Sequence, residues 1–448
     1  METSEILATL KKERYGQQHL QSEELKDHAI FMISCTSDVR QLLHDLLTIV
    51  VKSLFSKQQH PNLTDTGRKK LVPDNPFPGR LSDNIDWNDD LKIWKNGWTT
   101  DLLLFCLSQY PNLPADQEKS TFESQFHLLI PPILNLIDDS SIDYKTQGCR
   151  LLHMLCEEVM RCQSDILKRT GLSDVFSDAL RTNFMHLPTI TSEKESLKLL
   201  SELYPAFRAL VNARFPVQGR HEPMDSKEGT MMALRPATQT PIATEQMKVN
   251  STPISKNQPF TKISLDTKEK DAHQSLLDLI LRHGILASYA HAADYVYITT
   301  FLLQETSLIV SMMRIYSSKY LQVLLPLLRN VLTNPFGTAH MPLLMSALEC
   351  LESLMKTCWP RVREKWWAEC LRAIVGCWVQ ICDDEIDTIP RDDKAHALSG
   401  VKRKLRETCG LLAHIVGEDL DAAKERLEQE EERLKDLFAT IDITDTVS

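Results

Sequence analysis

Glycine is scarce in this sequence, at 14 of 448 residues. Alternating apolar and polar stretches bounded by Asn-Gly or Asp-Gly turns, which are typical of β-hairpins, are nearly absent. Leucine-rich runs with helical spacing recur instead from one end of the chain to the other. The sequence therefore predicts an all-α fold without a substantial sheet.

Motifs that carry catalysis or bind metals are also missing. The chain has no phosphate-binding loop, no G-x-G-x-x-G, H-E-x-x-H or G-x-S-x-G motif, no kinase signature and no Cys/His zinc spacing. The acidic stretch Cys382–Asp387, with Asp392 and Asp393, lacks the glycine and the register of a calcium loop. We therefore expect no enzyme activity, no catalytic residues, no cofactor and no metal ion.

The cysteines and the N-terminal residues lead us to expect a protein that is not secreted. Eleven cysteines are present without a C-x-x-C pair, mostly within apolar helical runs, which predicts reduced, buried thiols. Residues 1–10 contain Glu2 and Glu5 and no long apolar core, and no apolar run reaches the length of a membrane span. A net charge of −10 disfavours broad binding to nucleic acid. We expect a soluble intracellular protein.

The clearest structural unit lies at residues 126–159. Pro131 and Pro132 open an apolar run with helical spacing, and this predicted helix ends at a corner of short polar residues, Asp138 to Ser141. A second periodic run follows and includes Gly148. Neither helix buries its apolar face alone, so the unit is predicted to stack on others like it in a solenoid.

The order of residues in this unit resembles a HEAT repeat. Pro132 has the place of the proline near the start of the first helix, Asp138 or Asp139 that of the corner aspartate, Lys145 that of the basic residue and Gly148 that of the small residue. The resemblance implies a ladder of charge pairs between neighbouring repeats. The alternative is a capped helix start with a solvated lysine.

Composition divides the chain into six predicted segments. Residues 216–271 contain six prolines and many Thr, Ser, Lys and Gln residues, and such a composition buries too little apolar area to fold. The prediction is a HEAT-like α-solenoid of antiparallel helix hairpins with a long disordered insertion. Its segments are N-terminal helices at 1–56, a loop at 57–80, a first helical-repeat arm at 81–215, the insertion at 216–271, a second arm at 272–417, and a charged C-terminal helix and tail at 418–448.

Two local patterns predict helix boundaries in the first arm. Gly171 is predicted to end one helix and Ser173 to cap the next. Ser192, followed three residues later by Glu195, has the spacing of a capping box and predicts a helix start.

Several segments taken together resemble a known family. They are PPILNLIDD, KTQGCRLL, RTGLSDVF and LPTITSEKESLKLLSELYPAF, followed by Arg282–Leu286 and by YLQVLLPLL from Tyr320, and they cover about residues 126–330. Their combination is similar to the Tel-two-interacting protein two family, the small HEAT-repeat subunit of the Triple T complex. The matching residues concern packing and capping.

The resemblance implies a non-catalytic scaffold. Such a protein binds the larger Tel-two-interacting protein subunit and Tel-two, and it supports the folding and stability of phosphatidylinositol-kinase-related protein kinases through the ninety-kilodalton heat-shock chaperone. The resemblance also implies a cytoplasmic and nuclear location, and no direct contact with nucleic acid or membrane. The alternative function is a HEAT-repeat nuclear-transport receptor or adaptor.

Three tryptophans are the predicted partner-binding residues: Trp359, Trp366 and Trp367. Adjacent residues are about 100° apart on a helix, so Trp366 and Trp367 cannot both face one narrow core stripe. The alternative is burial of both side chains in a wide interface between repeats.

Overall fold

The computed structural model describes residues 20–55, 62–64, 68–70, 92–216, 267–387 and 392–439. Within these ranges every extended regular element is a helix, and β pairing is limited to an isolated antiparallel bridge between Leu63 and Lys69. The predicted all-α fold is confirmed.

The N-terminal helices form two consecutive segments. Helix α1 spans Leu20–Cys35. Helix α2, Val39–Asp45, starts after Asp38, whose carboxylate accepts the Arg40 N–H at 3.0 Å. It continues through a π-helical segment, Leu46–Val51, into α3, Lys52–Phe55.

Six further helices lie in the part of the chain before residue 217 that the structure describes. They are α4 Gly97–Gln109, α5 Ala115–Ile137, α6 Ile142–Arg161, α7 Ile166–Thr170, α8 Leu172–Asn183 and α9 Glu193–Arg214, with a 3₁₀ turn at Tyr110–Asn112.

The described residues after 266 form nine helices. They are α10 Thr267–Leu279, α11 Ala287–Ala292, α12 Val296–Met313, α13 Leu321–Leu332, α14 Met341–Arg361, α15 Trp367–Asp387, α16 Asp392–Val416, α17 Glu418–Glu430 and α18 Lys435–Phe438. π-Helical segments at Ile280–Leu286 and Val362–Trp366 join α10 to α11 and α14 to α15, and 3₁₀ turns lie at Arg314–Tyr320, Gly337–Ala339 and Glu432–Leu434.

The long helices pack in two ways. Helices adjacent in sequence pair with each other, as α5 does with α6, α13 with α14 and α15 with α16. Contacts also link helices that are not adjacent: α6 packs extensively along α9, α12 along α14, and α14 along α16. The buried apolar side chains accordingly form one contiguous cluster, from Ala29 in α1 to Leu437 in α18.

The helices before residue 217 and the helices after residue 266, here called the two halves of the chain, meet at α9 and α12. The Arg208 guanidinium in α9 forms an ion pair with the buried carboxylate of Glu305 in α12. The Tyr204 and Phe301 rings make an edge contact between the same helices, with centroids 5.7 Å apart. The halves therefore share a core.

One helical stretch, Val296–Leu332, is long and apolar enough to cross a membrane by length and composition alone. More than half of its most apolar part is buried inside the protein, as is usual for a core helix.

The predicted helix start at Pro131 and Pro132 is wrong. Both prolines lie inside α5, which begins at Ala115, and Pro326 likewise lies inside α13. A proline within a helix costs about 3 kcal/mol. In α5 the burial of eleven side chains, several of them upstream of the prolines, offsets this cost.

The two capping predictions had different outcomes. Gly171 ends α7 with a φ of +70°, but α8 begins at the next residue, and Ser173 lies inside that helix instead of capping it. The capping box is confirmed, because the Ser192 hydroxyl accepts the Glu195 N–H at 3.3 Å and the Glu195 carboxylate accepts the Ser192 N–H at 3.3 Å.

The predicted segment boundaries are only partly covered by the described residues. Helix α10 begins at Thr267, so the last residues of the predicted insertion, 267–271, are helical. Residues 217–266, most of the predicted loop at 57–80, and the tail beyond residue 439 lie outside the described residues. The division into arms stays a prediction.

Candidate functional site

The corner between α5 and α6 buries a carboxylate. Asp139 Oδ2 lies 3.3 Å from Lys92 Nζ and 3.0 Å from Lys95 Nζ, and Oδ1 accepts the Ser141 N–H at 2.8 Å. A buried charge is stable only when it is paired and hydrogen-bonded. Asp139 therefore ties the corner to the chain segment that precedes α4.

The same corner buries a lysine. Lys145 Nζ donates hydrogen bonds to Asn183 Oδ1 at 2.8 Å and to the Ile137 carbonyl oxygen at 3.2 Å. Burial lowers the pKa of Lys145, while the charges of Asp138 and Asp139 act in the opposite direction. Lys145 is therefore buried and hydrogen-bonded, and the alternative of a solvated lysine is wrong. Through Asn183, the last residue of α8, this side chain connects the corner to the following helix.

The two buried charges of the corner thus point to different neighbours. Asp139 is linked to the segment before α4, and Lys145 to the end of α8. A charge ladder that repeats between successive units stays a prediction. Asp138, the other predicted corner aspartate, is exposed, and Pro132 is buried within α5.

Gly148 sets the distance between α5 and α6. A Cβ at this position would lie 2.7 Å from the Ile137 nitrogen and 2.9 Å from the Leu136 carbonyl carbon. Contacts of this length do not occur for real Cβ atoms. The absence of a side chain therefore permits the approach that brings Lys145 to the last carbonyl of α5.

The three predicted partner-binding tryptophans lie at the turn from α14 to α15. Trp359 follows a kink at Cys358, where φ is −110° and ψ is 20°, and its side chain is 51% exposed. Trp366 and Trp367 are half-buried and pack against the core. Their partner-binding role stays a prediction, and Trp359 is the most accessible of the three.

One group of three potential metal ligands lies within the described part of the chain: Glu118, Glu158 and Cys162. Arg161 Nη1 and Nη2 lie 2.5 Å from the Glu118 and Glu158 carboxylates, respectively. Cys162 Sγ lies 3.1 Å from Glu118 Oε1, and burial, followed by hydrogen bonds to both carboxylates, raises the pKa of this thiol. The guanidinium supplies the positive charge that a cation would otherwise bring, so the arrangement fits an ion-pair cluster.

Sequence reasoning missed several of these residues. Asn183 and Lys145 are 38 residues apart, Lys92 and Asp139 are 47 apart, and Glu118 and Cys162 are 44 apart. No local pattern identifies contacts over such separations. The one local indication was the four-residue spacing of Glu158 and Cys162 on a helix face.

The described residues define an all-helical protein whose buried polar groups connect helices to one another. The chain belongs to the Tti2 family: the family model matches residues 6–339. This confirms the resemblance found in the sequence, and the Tti2 family is a family of non-catalytic scaffolds. No curated protein and no solved structure matches the chain.

Proposed function

We propose that this protein is a non-catalytic scaffold subunit of the Triple T co-chaperone complex. Membership of the Tti2 family supports a general role in that complex. The observation that carries the proposal is the extent of the match, residues 6–339, because it includes both the α5–α6 corner and the α9–α12 junction. In this proposal the partners are the larger Tel-two-interacting protein subunit and Tel-two.

The proposed architecture is a HEAT-like α-solenoid. Two kinds of contact support it: pairs of helices adjacent in sequence, and contacts of α6 with α9, α12 with α14, and α14 with α16. A stack of helix hairpins produces both kinds, because each hairpin packs within itself and against the next. The buried links from Asp139 and Lys145 to neighbouring elements are also those expected in such a stack.

The proposed mechanism is passive. A helical surface that binds two partners at once raises the effective concentration of each for the other, so that the assembly forms at a lower entropic cost. The assembled complex then brings newly made phosphatidylinositol-kinase-related protein kinases to the heat-shock chaperone. No group-transfer step by this chain enters the mechanism. The proposed location is cytoplasmic and nuclear, where these kinases act.

The proposal is tested by depletion in the cells that make the protein. Loss of the chain is expected to lower the steady-state amounts of the kinases while their messenger RNAs stay constant, because an unassembled kinase is degraded after synthesis. Re-expression of the full chain restores them. Kinase amounts that remain unchanged after depletion, or Triple T subunits that fail to co-purify with the tagged chain, refute the proposal.

A further inference from the structure

Exposed apolar side chains collect where the end of α12 meets the end of α14. Ile315 and Tyr316, in the 3₁₀ turn after α12, are 45% and 54% exposed, and Trp359 at the end of α14 is 51% exposed. The Ser317 hydroxyl lies 3.1 Å from Cys358 Sγ. Because Tyr316 and Trp359 are the neighbours of these two contacting residues in the chain, they lie at the same junction.

The junction is basic on a chain that is acidic overall. Residues 356–365 contain four basic side chains and one acidic side chain, on a protein whose net charge is −10. The exposed charged residues of this stretch are Lys356, Arg361, Arg363, Glu364 and Lys365. Lys356 Nζ lies 3.2 Å from Glu352 Oε2 and Arg361 Nη1 lies 2.8 Å from Glu364 Oε2, so the net positive charge of the stretch comes from Arg363 and Lys365. Arg314, directly before Ile315, is exposed as well and adds a further positive charge. A net positive charge from Arg314, Arg363 and Lys365 therefore lies next to exposed apolar groups at this junction.

The backbone holds these residues in defined positions. Arg314 ends α12 with φ at 53° and ψ at −136°, a conformation that residues other than glycine rarely adopt. On the other side of the junction, the kink at Cys358 interrupts α14 immediately before Trp359. Two irregular backbone positions thus place Ile315 and Trp359, and residues in sparsely populated conformations are frequent at binding sites.

We propose that this junction binds an acidic amphipathic helix of a partner protein. We define the Trp359 surface as Ile315, Tyr316, Trp359, Arg361 and Arg363. The apolar side chains fit the apolar face of a helix, and Arg363 fits a carboxylate on its flank, next to Arg361, which is paired with Glu364. Tryptophan and arginine are also the residues that most often carry binding energy in protein interfaces.

The Trp359 surface deepens the proposed function and rests on it, because a scaffold needs at least one surface for a partner. A protein segment is favoured over a lipid bilayer by the layout of the apolar groups. They come from two separate elements and form a compact cluster, whereas peripheral membrane proteins usually present the long apolar face of one amphipathic helix. A peptide helix requires only a short site of this kind.

The test uses full-length protein and fluorescein-labelled synthetic helices of about 18 residues with leucine on one face. The remaining positions are glutamate in the first peptide, glutamine in the second and lysine in the third. Fluorescence anisotropy is expected to show binding of the glutamate peptide, weaker binding of the glutamine peptide and none of the lysine peptide. Binding should weaken as sodium chloride is raised from about 50 to about 500 mM, because salt screens the charges.

Two variants locate the binding to the Trp359 surface. Trp359→Ala and Arg363→Glu are each expected to weaken binding of the glutamate peptide about tenfold or more. Matched controls are Phe336→Ala, which removes an aromatic ring that is 82% exposed elsewhere, and Arg181→Glu, which reverses an exposed charge on α8. Both controls should bind like the wild type. Circular dichroism melts of all four variants verify that the fold is retained.

Three outcomes overturn the proposal. The first is a glutamate peptide that does not bind at about 1 mM, or that binds Trp359→Ala as tightly as the wild type. The second is that the protein binds phosphatidylcholine vesicles with about 30% phosphatidylserine, that Trp359→Ala abolishes this binding, and that the protein shows no preference among the three peptides. The third is self-association in light scattering that the same substitution abolishes.

The experiment also separates this proposal from the proposed function. If the glutamate peptide binds the Trp359 surface but no Triple T subunit co-purifies with the chain, the surface is retained and the function is refuted. If the subunits co-purify equally with the wild type and Trp359→Ala while the peptide does not bind, the function is retained and the surface is refuted.

Discussion

Gly148→Ala places a methyl group at the tightest contact between α5 and α6. The new Cβ would lie 2.7 Å from the Ile137 nitrogen and 2.9 Å from the Leu136 carbonyl carbon. Both are backbone atoms in the last turn of α5, so neither can rotate away, and α6 has to move. Overpacking costs about 1–3 kcal/mol, and the higher helix propensity of alanine returns up to about 1 kcal/mol. Because the clash is with backbone atoms, the upper part of that range, about 2–3 kcal/mol, applies, and subtracting about 1 kcal/mol for helix propensity leaves a net loss of about 1–2 kcal/mol in the free energy of unfolding.

The matched control is Gly410→Ala in α16, where a Cβ would meet no atom within 4 Å. This substitution should stabilise the protein by up to about 1 kcal/mol, because only helix propensity changes. Urea unfolding of the full chain, followed by circular dichroism, gives the midpoint for each variant. The reasoning is refuted if Gly148→Ala unfolds at the same urea concentration as the wild type, or a higher one, while Gly410→Ala shows the expected gain.

Three further substitutions or reagents address other parts of the protein. Burial acts to raise the pKa of Glu352, but a hydrogen bond and the positive charge of Lys404 hold this pKa below its usual 4.5. The ionised carboxylate therefore stabilises the folded state, and this stabilisation is lost as the pH falls through the lowered pKa. Glu352→Gln should therefore lose less stability than the wild type in thermal melts between about pH 6 and about pH 3, and parallel curves would contradict this. Among the cysteines Cys35 alone is exposed, and burial raises the pKa of thiols such as Cys106 to about 12. Ellman's reagent should therefore react with one thiol in the native protein and with the other thiols only after denaturation. Arg314→Gly should raise the unfolding midpoint, because it removes backbone strain of about 1–3 kcal/mol; a lower midpoint would show that no strain is present.

The sequence predicted the features that depend on residues close together in the chain. The capping box of Ser192 and Glu195 involves two residues three positions apart, and both of its hydrogen bonds form. The corner after Ile137 and the start of α6 at Ile142 also follow from a local change of pattern, from apolar periodicity to short polar side chains. Such features need no knowledge of the tertiary structure.

Local rules failed where tertiary packing outweighed them. Pro131 and Pro132 predict a helix start, because proline lacks an N–H and fits the first turn. The residues before them, however, include Phe122 and Phe126, whose rings are buried in the core with centroids 5.6 Å apart. Burial of a large apolar side chain is worth about 1.5–3 kcal/mol, so these two phenylalanines together with Leu129 and Ile130 contribute about 6–12 kcal/mol and offset a cost of about 3 kcal/mol for each of the two prolines.

The junction between α9 and α12 could not be predicted either. Arg208 and Glu305 are 97 residues apart in the sequence, and the chain between them includes residues 217–266. Burial lowers the pKa of Arg208. Removing either partner would leave an uncompensated charge in a low-dielectric contact, although a buried ion pair adds little net stability relative to apolar residues of the same size.

What such a pair supplies instead is geometry. The Arg208–Glu305 pair joins α9 to α12, and Gly284 packs so closely on Phe184 that a Cβ there would lie 2.9 Å from the ring, so a second close contact links the helices before residue 217 to those after residue 266. A scaffold that holds two partners next to each other needs a fixed angle between its parts. If the parts rotated freely, the bound partners would still have to lose that rotational freedom when they contact each other. An apolar contact at this place would be equally stable but less specific in its geometry. Restriction of the angle between α9 and α12 is therefore a reason for the charged pair.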